Sequence, residues 1–166
     1  LMPTNLYGPR DNYNERNSHV LPALIRKFSE AVVHKKKEVT CWGTGLPKRE
    51  FLHVDDLADA CRFVLLNWDL NSNSAPKHNN EPLSFLNVGS GKDISIKDLA
   101  YIVAKKCEYN GQIIWDNSKP DGTPQKLLDV SKLKELGWQY KIGLELGVEK
   151  TIKSYKKELN ENTIRI

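Results

Sequence analysis

The sequence predicts an α/β fold from three observations. Stretches with helical apolar spacing alternate with short β-rich runs, turn-forming Gly, Pro and Asn fall between them, and the connections are short. Residues 19–35 set Val20, Leu21, Leu24, Ile25, Phe28 and Val32 on one helical stripe. Glu38 to Trp42 reads as a strand closed by the turn-rich Gly43-Thr44-Gly45-Leu46-Pro47, and a second strand runs from Arg49 to His53. A helix then starts at Asp55 or Asp56, with Leu57, Ala58, Cys61, Val64 and Leu65 as its apolar stripe. Asn71 to Pro82 is a polar surface loop, and Ser84 to Val88 a strand. Ser95 and Asp98 form a capping box for a helix over 96–108: the hydroxyl accepts an otherwise unpaired helix N–H, and the carboxylate suits the positive end of the dipole. Gln112 to Trp115 is a further strand. Residues 131–136 and 144–159 are the last helices, the second amphipathic and lysine-rich.

With 166 residues, 39% hydrophobic and 28% charged, the chain is long enough for one ordinary domain with a core and too apolar for a disordered segment. No internal repeat or interdomain linker is visible. No apolar run approaches the ~18 residues of a membrane helix, and residues 1–10 lack the order of a signal peptide. Met2 and Leu6 read as apolar residues at a strand end, so sequence upstream of Leu1 is expected. Twenty-five Lys and Arg against twenty-one Asp and Glu leave +4, spread along the chain. A nucleic-acid binder concentrates such charge in a stripe interleaved with aromatics. The run His34-Lys35-Lys36-Lys37 instead reads as a solvated helix end, and a few placed cations for a diphosphate suit the composition equally.

Cys41, Cys61 and Cys107 each lie in or beside an apolar stretch, and no metal-ligand spacing links Cys and His. They read as reduced, buried and structural in a cytoplasmic setting. Two Gly-x-Gly pairs follow predicted strands, at Gly43/Gly45 and Gly89/Gly91, but Lys48 and Ile94 stand where a third glycine would complete a dinucleotide cradle.

Four separated blocks carry a family resemblance. Pro3-Thr4-Asn5-Leu6-Tyr7-Gly8-Pro9-Arg10-Asp11-Asn12 and Arg49-Glu50-Phe51-Leu52-His53-Val54-Asp55-Asp56 resemble segments of the extended short-chain dehydrogenase/reductases that act on nucleotide sugars. Asn17-Ser18-His19 through Phe28, and Ser118 through Asp129 followed by Leu136-Gly137-Trp138, resemble the GDP-L-fucose synthases in particular. The resemblance spans Leu1 to about residue 155. It implies the carboxy-terminal, substrate-binding part of a Rossmann-type fold, with residues 1–18 ending the cofactor half and 19–166 forming the substrate-binding domain.

The activity it implies is NADPH-dependent epimerisation and reduction of GDP-4-keto-6-deoxy-D-mannose. Under the resemblance His19 is the acid–base group, opposite a cysteine that none of the three here matches. Pro3, Thr4, Asn5 and Leu6 touch the nicotinamide end of NADP(H) beside His19, largely by backbone. Lys27, Trp42, Arg49, Asp121 and Lys126 bind the GDP-sugar. Lys27 stands where the family commonly has arginine, a point charge in place of a bidentate fork. Taken alone, Lys27 reads equally as a surface cation, Trp42 as strand packing and Asp121-Gly122 as a turn. His53 reads as a structural residue of the strand–helix junction, and His34 and His78 as solvated. The single Tyr-x-x-x-Lys match, Tyr101 with Lys105, falls in the capped helix and reads as a coincidental pair.

The resemblance also implies a homodimer for the full-length protein, no nucleic acid or membrane partner, and no NADPH oxidation by this chain alone. Two other readings stay open: another nucleotide-sugar epimerase or reductase, and a non-catalytic nucleotide-binding module with an exposed apolar edge and face.

Overall fold

The computed structural model describes residues 1–69, 71–72 and 75–165. In chain order the elements are β1 (Met2–Pro3), β2 (Asn5–Tyr7), α1 (Val20–Val33), β3 (Glu38–Trp42), β4 (Lys48–His53) and α2 (Val54–Asn67). They continue with β5 (Lys77–His78), β6 (Glu81–Pro82), β7 (Asn87–Val88), β8 (Asp93–Ser95) and α3 (Ile96–Lys106). β9 (Gln112–Asp116), β10 (Gln125–Lys126), α4 (Ser131–Glu135) and α5 (Leu144–Asn160) complete the chain.

β4 organises the structure because it accepts three partners along six residues. Its first half pairs with β10 in parallel, Arg49 opposite Lys126, and with β8 antiparallel, Arg49 opposite Ile94. Its second half pairs in parallel with β2, Tyr7 opposite His53. β3 and β9 form a separate parallel pair from Glu38↔Gln112 to Trp42↔Asp116, and β1 pairs with β7. The mixed α/β architecture agrees with the sequence expectation.

The apolar stripe of α1 builds the larger core. Leu21, Leu24, Ile25, Phe28 and Ala31 are buried against Leu99, Val103 and Ala104 of α3, Val148, Ile152 and Tyr155 of α5, and Val39 and Cys41 of β3. Val32 lies outside that stripe and is exposed. A smaller core joins Leu52, Ala60, Leu86, Val88, Leu133 and Trp138. Gly147 lets α5 approach β2: a Cβ there would collide with the Tyr7 hydroxyl.

Several local expectations change. α2 starts at Val54, one residue before Asp55. Its cap is the buried His53, whose Nδ1 accepts from the Asp55 N–H at 3.2 Å. Asp56 is buried and accepts from the backbone N–H of Lys141 and Ile142 at 3.0 and 2.9 Å. The expected stripe of α2 splits. Leu57 and Val64 are half-buried, whereas Ala58, Cys61 and Leu65 face outward, Leu65 with 85% of its surface exposed. Cys61 is therefore not a core thiol, although Cys41 and Cys107 are buried. α2 packs on β4 and the smaller core through its other side.

Asn71 to Pro82 is not loop throughout, because β5 and β6 form a hairpin there. Its two turn residues, Asn79 and Asn80, take φ of 51° and 68°, the left-handed backbone that asparagine tolerates in a tight hairpin turn. Asn73 and Ser74 of that segment lie outside the described residues. Of the expected strand Ser84–Val88, only Asn87–Val88 pairs. The Ser95 cap forms as expected, its Oγ accepting from the Asp98 N–H at 3.0 Å.

Candidate active site

α1 begins where its apolar stripe begins, which leaves His19 just ahead of the first turn. Its backbone is extended (φ −69°, ψ 165°) and its side chain makes no capping hydrogen bond. The exposed imidazole instead lines a cavity of about 430 Å³ together with Thr4, Asn5 and Leu6 of the first strands, the Gly8–Asp11 turn, Val54 and Arg165. Thr4 Oγ1 and Asn5 Nδ2 both donate to the Glu50 carbonyl, at 3.3 and 2.8 Å, which fixes this wall to β4. Pro3 lies on the exposed β1 edge and does not line the cavity.

Asp11 is half-buried. Its Oδ1 accepts from the Asn12 N–H at 2.7 Å, and its Oδ2 is buried without a hydrogen-bond partner. Burial raises its pKa from the ordinary carboxylate value, against the opposing pull of the Asn12 hydrogen bond, the His19 and Arg165 charges and the Gly8 backbone N–H.

Val20, the residue after His19, opens onto the neighbouring surface. Two smaller cavities, of about 280 and 170 Å³, share Val20, Trp42 and Ile96 and so form one groove. Lys27 lies at one end, and Arg49 and Asp121 at the other. Trp42 is 66% exposed, with the ammonium groups of Lys27 and Lys119 at 5.6 and 5.7 Å from its ring centre. An exposed indole with cations over it offers a flat, polarisable surface between positive charges. Lys27 Nζ also donates to the Thr40 carbonyl at 2.9 Å, and Arg49 donates to the Lys48 carbonyl at 2.7 Å.

Asp121 accepts from both the N–H and the Oγ1 of Thr44 at 2.7 Å, tying its loop to the turn after β3. Gly43, at φ +75°, has no Cβ to obstruct that approach. Lys126 stands beside Arg49 on β10, exposed and outside the groove lining. The structure thus brings His19 together with Thr4, Asn5 and Leu6, and Trp42 with Lys27, Arg49 and Asp121. It leaves Pro3 and Lys126 at the margins.

Residues not singled out from the sequence complete the arrangement. The fully buried Glu50 accepts from the Gly91 N–H at 2.6 Å and the Leu128 N–H at 3.0 Å, holding the segment just after β10 against the turn after β7. Because Glu50 takes the Gly91 N–H and the Trp115 ring abuts Gly45, neither Gly-x-Gly turn presents an open phosphate cradle. This agrees with the missing third glycines. Arg165 and Lys119 carried no sequence signal beyond their charge. Burial lowers the pKa of His53, whose Nε2 has no hydrogen-bond partner. Tyr101 is exposed on α3, away from both cavities. Among the described residues, no group of three His, Cys, Asp or Glu side chains is disposed to hold a metal ion, and no helix is long and apolar enough to cross a membrane.

Comparison with known proteins gives the arrangement a family. Residues 1–77 match the NAD dependent epimerase/dehydratase family. The chain is 51% identical over 154 residues to a probable GDP-L-fucose synthase 1 of Oryza sativa subsp. japonica, covering 93% of this chain and 43% of that protein. It is 50% identical to the GDP-L-fucose synthase of Escherichia coli K12, covering 91% and 46% respectively. The chain therefore spans less than half the length of these curated relatives.

Among solved structures, a GDP-L-fucose synthetase of Naegleria fowleri bound to NADP superposes with a TM-score of 0.83 at 26% identity, covering all of this chain and 48% of that one. A GDP-6-OMe-4-keto-L-xylo-heptose reductase of C. jejuni superposes at 0.79 with 33% identity, covering 94% and 53%. Over more than nine-tenths of its length the chain is similar to GDP-L-fucose synthases, of which it spans under half, and its residues 1–77 match the NAD dependent epimerase/dehydratase family.

Proposed function

We propose that this chain supplies the substrate-binding part, and one acid–base group, of an NADPH-dependent epimerase–reductase that converts GDP-4-keto-6-deoxy-D-mannose to GDP-L-fucose. The observation that carries the reading is the adjacency of two surfaces. His19 opens into the cavity walled by Thr4, Asn5 and Leu6, and the next residue, Val20, borders the groove of Trp42, Lys27 and Arg49. A sugar ring at that junction meets the imidazole while its nucleotide lies along the groove.

A 4-keto group acidifies the hydrogens on C3 and C5. Inversion at either carbon needs a proton taken from one face and another delivered to the opposite face. An imidazole exchanges protons near neutral pH, and His19 is assigned one of these transfers. Its counterpart comes from outside this sequence: Cys41 is buried in the neighbouring groove, where burial raises its thiol pKa, and Cys61 and Cys107 line neither cavity.

Trp42 stacks on the flat base, Lys27 and Arg49 balance the diphosphate, and Asp121 and Lys126 complete the nucleotide-sugar contacts. The cavity beside Thr4, Asn5 and Leu6, with Pro3 at its edge, is assigned to the nicotinamide end of NADP(H), and Gly8 in its wall leaves room for the Val54 side chain. When bound, NADPH supplies the hydride that reduces C4. The pyrophosphate has no cradle in this chain, so residues 1–18 are assigned to the end of the cofactor half and 19–166 to the substrate-binding part. The same reading gives a homodimer for the whole protein, no catalysis by this chain alone, and a cytoplasmic setting in keeping with three free thiols.

A chimera tests the proposal. This chain replaces the corresponding part of the Escherichia coli relative, and folding and NADPH binding are verified first. Turnover of the 4-keto sugar nucleotide is expected, with C3 and C5 deuterium exchange lost in His19→Gln. A folded, NADPH-binding chimera that exchanges equally well without His19 would overturn the assignment.

A further inference from the structure

The cavity at His19 holds a carboxylate that the proposed chemistry leaves unused. Asp11 lines it with His19, Arg10 and Arg165, and one Asp11 oxygen is buried with no hydrogen-bond partner. A carboxylate oxygen withdrawn from water without a donor is costly unless a cation compensates it. Three basic side chains, Arg10, His19 and Arg165, share the cavity with it, the last two for reasons of architecture. His19 is there because α1 starts at Val20. Arg165 is there because the segment after α5 folds back: Thr163 N–H donates to the Glu158 carbonyl at 2.9 Å, Ile164 packs on the larger core, and the Arg165 carbonyl accepts from the Tyr13 N–H at 2.9 Å.

We propose that Asp11 is the positioning carboxylate for His19, orienting the imidazole in the cavity, and that Arg165, in the segment after α5, competes for the same carboxylate. The proposal rests on the acid–base reading of His19 and deepens it. Without a partner, an exposed imidazole rotates freely and presents its N–H in no fixed direction. A buried carboxylate on one side of the cavity selects an orientation and stabilises the ring after it has taken a proton, or before it gives one up. Arg165 draws on the same negative charge, so the docking of the tail sets how much of it reaches His19.

The other charged or titratable groups around the cavity act less directly. Arg10 donates its backbone N–H to Glu158 at 3.1 Å, and Glu158 also accepts from Ser154 at 2.6 Å. Tyr13 is buried, and burial raises its pKa, so it stays neutral. His53, behind Gly8, is kept neutral by burial. Of the basic groups, His19 at the start of α1 and Arg165 in the tail are the ones that oppose the upward push of burial on the Asp11 carboxyl.

The test follows the Asp11 carboxyl carbon by NMR across acidic pH in the 166-residue chain, with the signal assigned by its loss in Asp11→Asn. In His19→Gln and in Arg165→Gln the titration midpoint is expected to move up by about half a pH unit each, the scale of a partly exposed ion pair. Midpoints unchanged in His19→Gln, in chains whose amide spectra show native folding, overturn the proposal. If the chimera loses exchange in His19→Gln while these midpoints stay fixed, the acid–base reading survives and the positioning role fails. If the midpoints move while exchange persists, the coupling stands and its catalytic use fails.

Discussion

Removing Glu50 is predicted to cost more than removing any of the exposed charges around it. Its carboxylate is fully buried and accepts the Gly91 and Leu128 N–H groups, with Ser90 Oγ at 3.4 Å. In Glu50→Ala the N–H groups of the exposed Gly91 and the half-buried Leu128 lose a charged acceptor, at about 1.5 kcal/mol each. The vacated volume adds a further penalty, for a total of about 4 kcal/mol. Glu50→Gln keeps one acceptor oxygen but turns an NH2 toward the other donor, so about half that loss is expected. In a domain this size about 4 kcal/mol corresponds to a melting-temperature drop of roughly 10 °C. Urea unfolding measures the stability, and amide exchange at Gly91 and Leu128 locates the damage. If Glu50→Ala unfolds within about 0.5 kcal/mol of the parent, the carboxylate is not a clamp and the segment after β10 has another anchor.

The remaining predictions concern acid stability, the groove, the cap and the core. Burial lowers the pKa of His53 in the folded chain relative to the unfolded one. Its contribution to stability is therefore present above the unfolded value near 6.5 and is lost as pH falls from there through the folded value. Urea midpoints should decline over that window, and His53→Gln should flatten the decline; an unchanged slope refutes the assignment. Trp42→Ala should weaken binding of a GDP-sugar about tenfold while leaving the melting temperature nearly unchanged, because the ring is exposed and flanked by cations. Ser95→Ala should cost about 1 kcal/mol in urea unfolding through loss of the cap at Asp98. Gly147→Ala should cost several times that, since the new methyl meets the Tyr7 hydroxyl inside the larger core.

Features encoded over a few residues were readable in advance. The strand Glu38–Trp42 appears with the bounds its composition predicts, and the Ser95 cap forms because its donor and acceptor are three residues apart. The hairpin around Asn79 and Asn80 was missed because polar residues there read as loop, while asparagine's tolerance of positive φ is what permits the turn. The α2 stripe was half wrong for a different reason. Apolar residues occupy more than one side of that helix, and periodicity alone does not tell which side this chain covers.

At the candidate site, His19, Trp42, Arg49 and Asp121 were found through motifs. The Asp11–Arg165 contribution was not, because folding brings it together from opposite ends of the chain; Asp11 falls within a motif but Arg165 has no local signature. Glu50 was quoted within a motif, but its role depends on donors from two distant loops.

Calorimetric titration of this chain with GDP-fucose and with UDP-galactose, in the parent and in Arg49→Ala, addresses the central claim most directly. Saturable binding of the GDP-sugar is predicted, with weaker binding of the UDP-sugar and at least a tenfold loss in Arg49→Ala, the scale of one charge-assisted phosphate contact. A preference for the UDP-sugar, or GDP-sugar binding indifferent to Arg49, would contradict the account.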